Sequence, residues 1–177
     1  MQKKTMSELQ RKSVDDFRAS AKIPIVLVLD NVRSMHNVGS VFRTADAFLI
    51  EAILICGYTP QPPHRDIHKT ALGATETVSW KYFPTTLGAM ESLKSDGYEV
   101  WAVEQVQGSI ELQDLAYTPG EKIALVFGNE ADGVQDDLIP LCKGAIEIPQ
   151  MGMKHSLNIS VAVGVVLWEL CKTVFSR

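Results

Sequence analysis

Three short polar segments in this chain have residue types and spacings suited to gripping a charged or polar ligand. The first, Asn37-Val38-Gly39-Ser40-Val41-Phe42-Arg43, sets an amide and a guanidinium in otherwise apolar company. A guanidinium fixed there suits bidentate contact with a phosphate. The second, Gly128-Asn129-Glu130-Ala131-Asp132-Gly133, follows an apolar run directly and puts Glu130 where a ligand would sit. The third leads from Ile148-Pro149 through Gln150-Met151-Gly152-Met153-Lys154-His155 into Ser156-Leu157-Asn158-Ile159-Ser160. Taken singly, Asn37 would cap a helix, Arg43 would pair with a carboxylate such as Asp46, and the second segment would be a turn with Asx character. Each segment, however, stands at the mouth of a buried element, and that shared context points to one site.

Other chemistries find no support. No Gly-x-Gly-x-x-Gly follows the first strand and no Walker loop occurs. His64 and His68 have the spacing to hold a metal on a helix, but they lack carboxylate or cysteine company, so no metal is expected. Cys56, Cys142 and Cys171 are odd in number and far apart, which suits small hydrophobes in a reducing compartment rather than a disulfide framework.

The elements that must position the three segments alternate along the chain. Ile23 to Leu29 is a continuous β-branched and Leu run, the pattern of a strand buried on both faces. The following loop, Asp30 to His36, leads to Asn37 as the expected N-cap of a helix through about Phe48. Strands are expected at Glu51 to Gly57, Thr77 to Phe83, Tyr98 to Glu104, Lys122 to Phe127 and Ala145 to Ile148. Helices are expected at Asp66 to Leu72, Thr85 to Ser95 and Asp136 to Cys142, with Ile110 to Leu115 short and helical or irregular. This alternation implies an α/β fold, a mostly parallel sheet with helices on both faces, whose ligands sit beyond the carboxyl ends of the strands.

The ends of the chain carry further expectations. Thr5-Met6-Ser7-Glu8 reads as a capping box opening a thinly amphipathic helix (Met6, Leu9, Ser13, Phe17) through residue 20. Residues 1–22 therefore form a basic helical extension, with 23–177 as the main domain. The last helix, about Ser156 to Phe175, carries one stripe of Ile159, Ala162, Val163, Val166, Leu167, Leu170 and Val174. Its other face still shows Val161, Gly164, Val165 and Trp168. One face should pack on the sheet and the other on a second subunit, with Gly164 admitting a close backbone.

At 177 residues, 46% of them hydrophobic, the chain can bury one substantial core. A net charge of −4 argues weakly against nucleic-acid binding, but the charge is unevenly placed. Residues 1–22 hold six basic against three acidic residues, and residues 81–155 hold five basic against twelve acidic. A local basic face of the N-terminal segment with Arg33, Arg43, Arg65, Lys69 and Lys154 is compatible with that distribution. No stretch approaches the length needed to span a bilayer, and a cytoplasmic protein is expected.

Together, Asn37-x-Gly39-Ser40-x-x-Arg43-Thr44-Ala45, Phe127-Gly128-Asn129-Glu130-x-x-Gly133 and Ile148-Pro149-x-Met151-Gly152-x-x-x-Ser156-Leu157-Asn158-Ile159-Ser160 resemble, in order and spacing, the three motifs of the SpoU (TrmH-like) RNA 2'-O-ribose methyltransferases of the SPOUT superfamily. The resemblance covers roughly residues 23–175. It implies a SPOUT fold with a deep C-terminal trefoil knot, a homodimer through the C-terminal helix, and S-adenosylmethionine as cofactor. It further implies methylation of a ribose 2'-hydroxyl in tRNA or rRNA. By the same resemblance Arg43 is the central catalytic residue, supported by Asn37, Glu130, Ser156 and Asn158. Cofactor contacts would come from Val103, Glu104, Gly128, Ile148, Met151 and Leu157. The alternative to an enzyme is an RNA- or nucleotide-binding module that keeps the fold without turnover.

Overall fold

A run of β-branched and Leu side chains with no polar break can only be satisfied by cover on both sides, and β1 (Ile23–Asp30) is an interior strand of the sheet. The computed structural model describes residues 1–5, 8, 12–154 and 156–175. The remaining strands are β2 (Ile50–Cys56), β3 (Ser79–Phe83), β4 (Glu99–Val103), β5 (Ile110–Glu111), β6 (Ile123–Phe127) and β7 (Gly144–Glu147). They form one sheet in the order β3-β2-β1-β6-β4-β7-β5 with every pairing parallel, for instance Leu27 opposite Ile53 on one side and Leu125 on the other.

Helices α1 (Val14–Ala19), α2 (Met35–Ala47), α3 (Arg65–Ala71), α4 (Ala74–Thr77), α5 (Thr86–Ser95) and α6 (Ile159–Cys171) cover the two faces unequally. Alternate residues of β1 sort the layers. Ile25, Leu27 and Leu29 face a core shared with Phe42 of α2, Ile67 of α3 and Val163 and Leu167 of α6. Val26 and Val28 face Ala89, Met90 and Leu93 of α5. The expected two-sided α/β sheet is present.

Several local expectations shift. Ser34, not Asn37, caps α2, accepting the Asn37 N–H at 3.3 Å, so the Asn37 side chain is released for other work. The 136–142 stretch holds only a 3₁₀ turn, Ile139–Leu141, because Pro140 removes a donor that a full helix would use. Helix α6 begins at Ile159 with Asn158 as its cap, leaving Ser156 and Leu157 in the preceding loop. Residues 110–114 split into the two-residue β5 and a 3₁₀ turn.

At the N-terminus, Met6 and Leu9 lie outside the described residues. Thr5 and Glu8 do exchange hydrogen bonds, at 2.6 Å and 3.4 Å, but α1 itself opens at Ser13 in a capping box with Asp16. Phe17 of α1 is buried in the main core. This helix therefore packs on its own domain.

Candidate functional site

Four strands, β1, β6, β4 and β7, end side by side, and the loops leaving β6, β4 and β7 converge with the start of α6 over a cleft of about 460 Å³. Its floor and walls are apolar where the strands end (Val103, Phe127, Ile146, Ile148) and polar where the loops fold over (Glu104, Gln105, Asn129, Gln150).

The loop after β6 is a tight hairpin. Asn129 N–H donates to Gly133 O at 3.0 Å and Gly133 N–H returns to Asn129 O at 3.1 Å. The Asn129 Oδ1 accepts the N–H groups of Ala131 (2.8 Å) and Asp132 (2.9 Å), the Asx turn its sequence suggests. Gly128 is required by space: a Cβ there would lie 1.8 Å from the Gly133 carbonyl carbon. Gly133 turns at φ 72°, a conformation few other residues adopt.

Two carboxylates secure this hairpin from below. Glu104, at the end of β4, accepts Val134 N–H at 3.1 Å. Asp30, fully buried at the end of β1, accepts the N–H and side-chain amide of Gln135 at 3.0 and 2.7 Å and the Thr86 hydroxyl at 2.6 Å. Neither role was foreseen from sequence. The signal available was an Asp at the end of an apolar strand, a charge that must find several donors if it is buried.

The hairpin presents Glu130 to α2. Its carboxylate accepts Arg33 N–H (3.0 Å), Ser34 N–H (3.2 Å) and the Asn37 side-chain amide (2.8 Å). Partial burial pushes its pKa up, but the donors from Arg33, Asn37, its own backbone and Ser34 outweigh that and leave it below the ordinary carboxylate value. Glu130 is thus an anionic anchor and a poor proton acceptor near neutral pH.

Asn37 passes the connection on. Its Oδ1 accepts from Asn158 Nδ2 at 3.1 Å, while Asn158 Oδ1 caps α6 by accepting Ser160 N–H at 2.9 Å and the Ser160 hydroxyl at 2.7 Å. A side-chain amide can donate to a carboxylate through its nitrogen and accept from another amide through its oxygen, which suits the residue type at position 37. The three sequence segments are therefore joined by the chain Asn158, Asn37, Glu130.

The remaining residues singled out from sequence are placed as follows. Ser156 lines the cleft with its hydroxyl unpartnered among the described residues. Val103, Glu104, Gly128, Ile148 and Leu157 also line it. Met151 does not: it is fully exposed and borders an adjoining shallow hollow between Pro149 and Leu157. Arg43 is exposed on α2 and outside the cleft lining. Its guanidinium takes no hydrogen bond or ion pair among the described residues, and Asp46 meets Thr77 instead at 3.5 Å. Gly39 of the first segment serves packing, since a Cβ there would fall 2.3 Å from Ile67 O on α3. No cluster of groups able to hold a metal occurs among the described residues.

Comparison with known proteins follows the same site. The family model described as "SpoU rRNA Methylase family" matches residues 24–168. A tRNA (guanosine(18)-2'-O)-methyltransferase of Thermus thermophilus is 30% identical over 92% of this chain and 82% of its own length. A 23S rRNA (guanosine-2'-O-)-methyltransferase of Vibrio parahaemolyticus is 32% identical over 94% of this chain, which spans 66% of that relative. The solved structure of an AdoMet-bound rRNA methyltransferase from Sinorhizobium meliloti superposes with a TM-score of 0.79 at 26% identity, over 93% of this chain and 62% of that one.

Proposed function

Because the chain belongs to the SpoU rRNA Methylase family, we propose that it transfers a methyl group from S-adenosylmethionine to a ribose 2'-hydroxyl in tRNA or rRNA. The observation that carries this is the hydrogen-bonded set Asn158, Asn37 and Glu130 standing beside a cleft large enough for a cofactor. About 460 Å³ lies within the usual range for a small-molecule site. Apolar walls of Val103, Ile146, Ile148 and Leu157 suit a purine, and Glu104, Asn129 and Gln150 offer polar partners for a ribose or an amino acid head.

When bound, S-adenosylmethionine supplies a methyl group already activated as a sulfonium. What the protein must add is alignment, and a well-oriented pair of reactants gains ~7–11 kcal/mol of the barrier. Asn37 and Asn158, fixed by Glu130, hold the mouth of the site in one geometry. Ser156 presents a hydroxyl beside them. Arg43, with its guanidinium uncommitted, grips the phosphate of the target nucleotide. The 2'-hydroxyl must also release a proton. Glu130 already accepts three hydrogen bonds and has a lowered pKa, and a guanidinium has no acceptor atom to offer, so neither Glu130 nor Arg43 takes it. The gripped phosphate, or a group next to it, is the acceptor.

Two larger features belong to the same reading. The segment 104–109 arches from the end of β4 to β5 across the end of β7, with Glu104 N–H donating to Ile146 O at 3.0 Å on one side and the Ser109 hydroxyl donating to Glu147 at 2.7 Å on the other. Parallel strands usually need a much longer connection. A chain leaving β7 beneath such an arch supports the trefoil knot. Exposed Val161, Val165 and Trp168 on the outer face of α6, with open space beside Gly164, support a homodimer through that helix. No described helix is long and apolar enough to cross a membrane, and an RNA substrate with three free cysteines supports a cytoplasmic location.

Calorimetry with S-adenosylmethionine, paired with transfer of a radiolabelled methyl group to total RNA, tests the proposal. Binding with transfer is expected. Binding without transfer to any RNA would instead identify a binding module on the same fold.

A further inference from the structure

The turn after β2, separated from β6 by β1 in the sheet, is fastened more firmly than an ordinary surface turn. Gly57 sits in the left-handed region at φ 61°; its N–H donates to Phe83 O at 3.1 Å and its carbonyl accepts the Tyr82 hydroxyl at 3.1 Å. Tyr58 N–H donates to Asn31 Oδ1 at 3.2 Å. The next residue, Thr59, is buried, with its hydroxyl donating to Leu29 O at 3.2 Å and accepting Val32 N–H at 2.9 Å. The backbone around Tyr58 is therefore locked to β1 and β3, yet the residue itself is 56% exposed.

A single exposed tyrosine is unremarkable on its own. Its neighbour changes that. The Arg33 guanidinium stands beside the Tyr58 hydroxyl, which favours its charged form first, ahead of Asp132 and Glu130. The pairing of Arg33 with Asp132, at 3.5 Å, is an exposed one that an incoming anion can replace at little cost. Arg33 N–H is also one of the donors that fix Glu130, so ring and guanidinium share the frame that holds Asn37. Strands β2, β1 and β6 are consecutive in the sheet. The Tyr58 turn and the Glu130 turn therefore leave the sheet on the two sides of β1. A nucleotide flanking the one being methylated is the ligand such a neighbouring turn would meet.

The geometry points to a second nucleotide subsite, in which the Tyr58 ring stacks on the base of an unpaired nucleotide flanking the target and Arg33 takes its phosphate. The inference rests on the RNA methyltransferase reading above. It deepens that reading by requiring a locally single-stranded substrate, since a base inside a duplex cannot offer its face to a side chain. Stacking on an aromatic ring is tolerant of base identity, so the subsite contributes affinity and register more than sequence choice.

The test uses the full chain and two fluorescently labelled probes of equal length, an oligoadenylate and an abasic ribose-phosphate strand, with binding read by anisotropy. Tyr58→Ala should weaken oligoadenylate binding about 5- to 150-fold and leave the abasic strand unaffected. Tyr58→Trp should retain binding, whereas Tyr58→Leu, which keeps apolar bulk without a ring face, should resemble Tyr58→Ala. Affinity for S-adenosylmethionine and the thermal midpoint should stay at wild-type values in all three. Equal losses on both strands, an unaffected Tyr58→Ala, or a fully competent Tyr58→Leu would each overturn the subsite while wild-type methyl transfer still stood. A wild-type chain that binds neither probe and methylates no RNA would overturn the methyltransferase reading itself.

Discussion

Asn37 is the residue on which the site turns, because its side chain is bonded to both Glu130 and Asn158. Replacing it with alanine leaves a carboxylate short of one donor and an amide short of one acceptor. Hydrogen bonds to charged groups contribute ~1.5–3 kcal/mol, so Asn37→Ala should lower the methyl-transfer rate roughly 10- to 150-fold, measured as single-turnover transfer at saturating RNA. A rate within twofold of wild type would remove the bridge from the catalytic geometry. Glu130 yields a pH prediction. Its folded pKa lies below the ordinary value of 4.5, so the stability it contributes is complete above the unfolded pKa and is lost as pH falls through the folded one. The thermal-midpoint gap between wild type and Glu130→Gln should therefore be constant from about pH 8 to pH 5.5 and shrink below about pH 4.5. The residue types of the site were legible in the sequence. Their bonding was not: Asn37 lies 93 residues from Glu130 and 121 from Asn158, and nothing local to either partner encodes the pairing. Asp30 was not singled out, and Glu104 was expected only as a cofactor contact, for a related reason: an acid at a strand end acquires its donors only when the 134–135 backbone arrives.

Among the elements, α2 carries the catalytic proposal because it is held at a fixed height against α3. Gly39 permits that contact: a Cβ there would meet Ile67 O at 2.3 Å and Thr70 Oγ1 at 2.1 Å. The threonine can rotate away, but the carbonyl belongs to the α3 backbone and cannot. Gly39→Ala should therefore cost about 1–3 kcal/mol as an overpacked contact, read as a lowered midpoint in urea, and it should reduce transfer by displacing Asn37 and Arg43 together. An unchanged midpoint would mean that α2 and α3 separate freely. Strand positions were read well from sequence, since runs such as Ile123–Phe127 leave few alternatives to burial. Helix starts were read less well. Ser34 and Asn37 are both good caps, and what decides between them is that Glu130 claims the Asn37 amide.

For the molecule as a whole, α6 joins the site to the surface of the proposed dimer. Its inner stripe of Val163, Val166, Leu167 and Leu170 is buried, as its spacing implied, while Val161, Val165 and Trp168 stay exposed. No described residue outside its own stretch of helix would lie within 4 Å of a Cβ added at Gly164, which leaves room there for the second subunit of the proposed dimer. Trp168→Glu should convert the proposed dimer to monomer in sedimentation velocity while leaving the fold intact by circular dichroism; a wild-type chain that is already monomeric would contradict the assembly. Sequence alone could reveal that α6 has too much apolar surface for one core. It could not reveal the arch of 104–109 over β7, because a two-residue strand such as β5 has no periodicity to detect.

The most direct measurement is mass spectrometry of ribonucleosides from tRNA and rRNA after incubation with the protein and S-adenosylmethionine carrying a deuterated methyl group. The expected result is a labelled 2'-O-methylnucleoside that appears with the wild-type chain and disappears with Arg43→Ala. Label confined to a nucleobase, or equal labelling by wild type and Arg43→Ala, would contradict it.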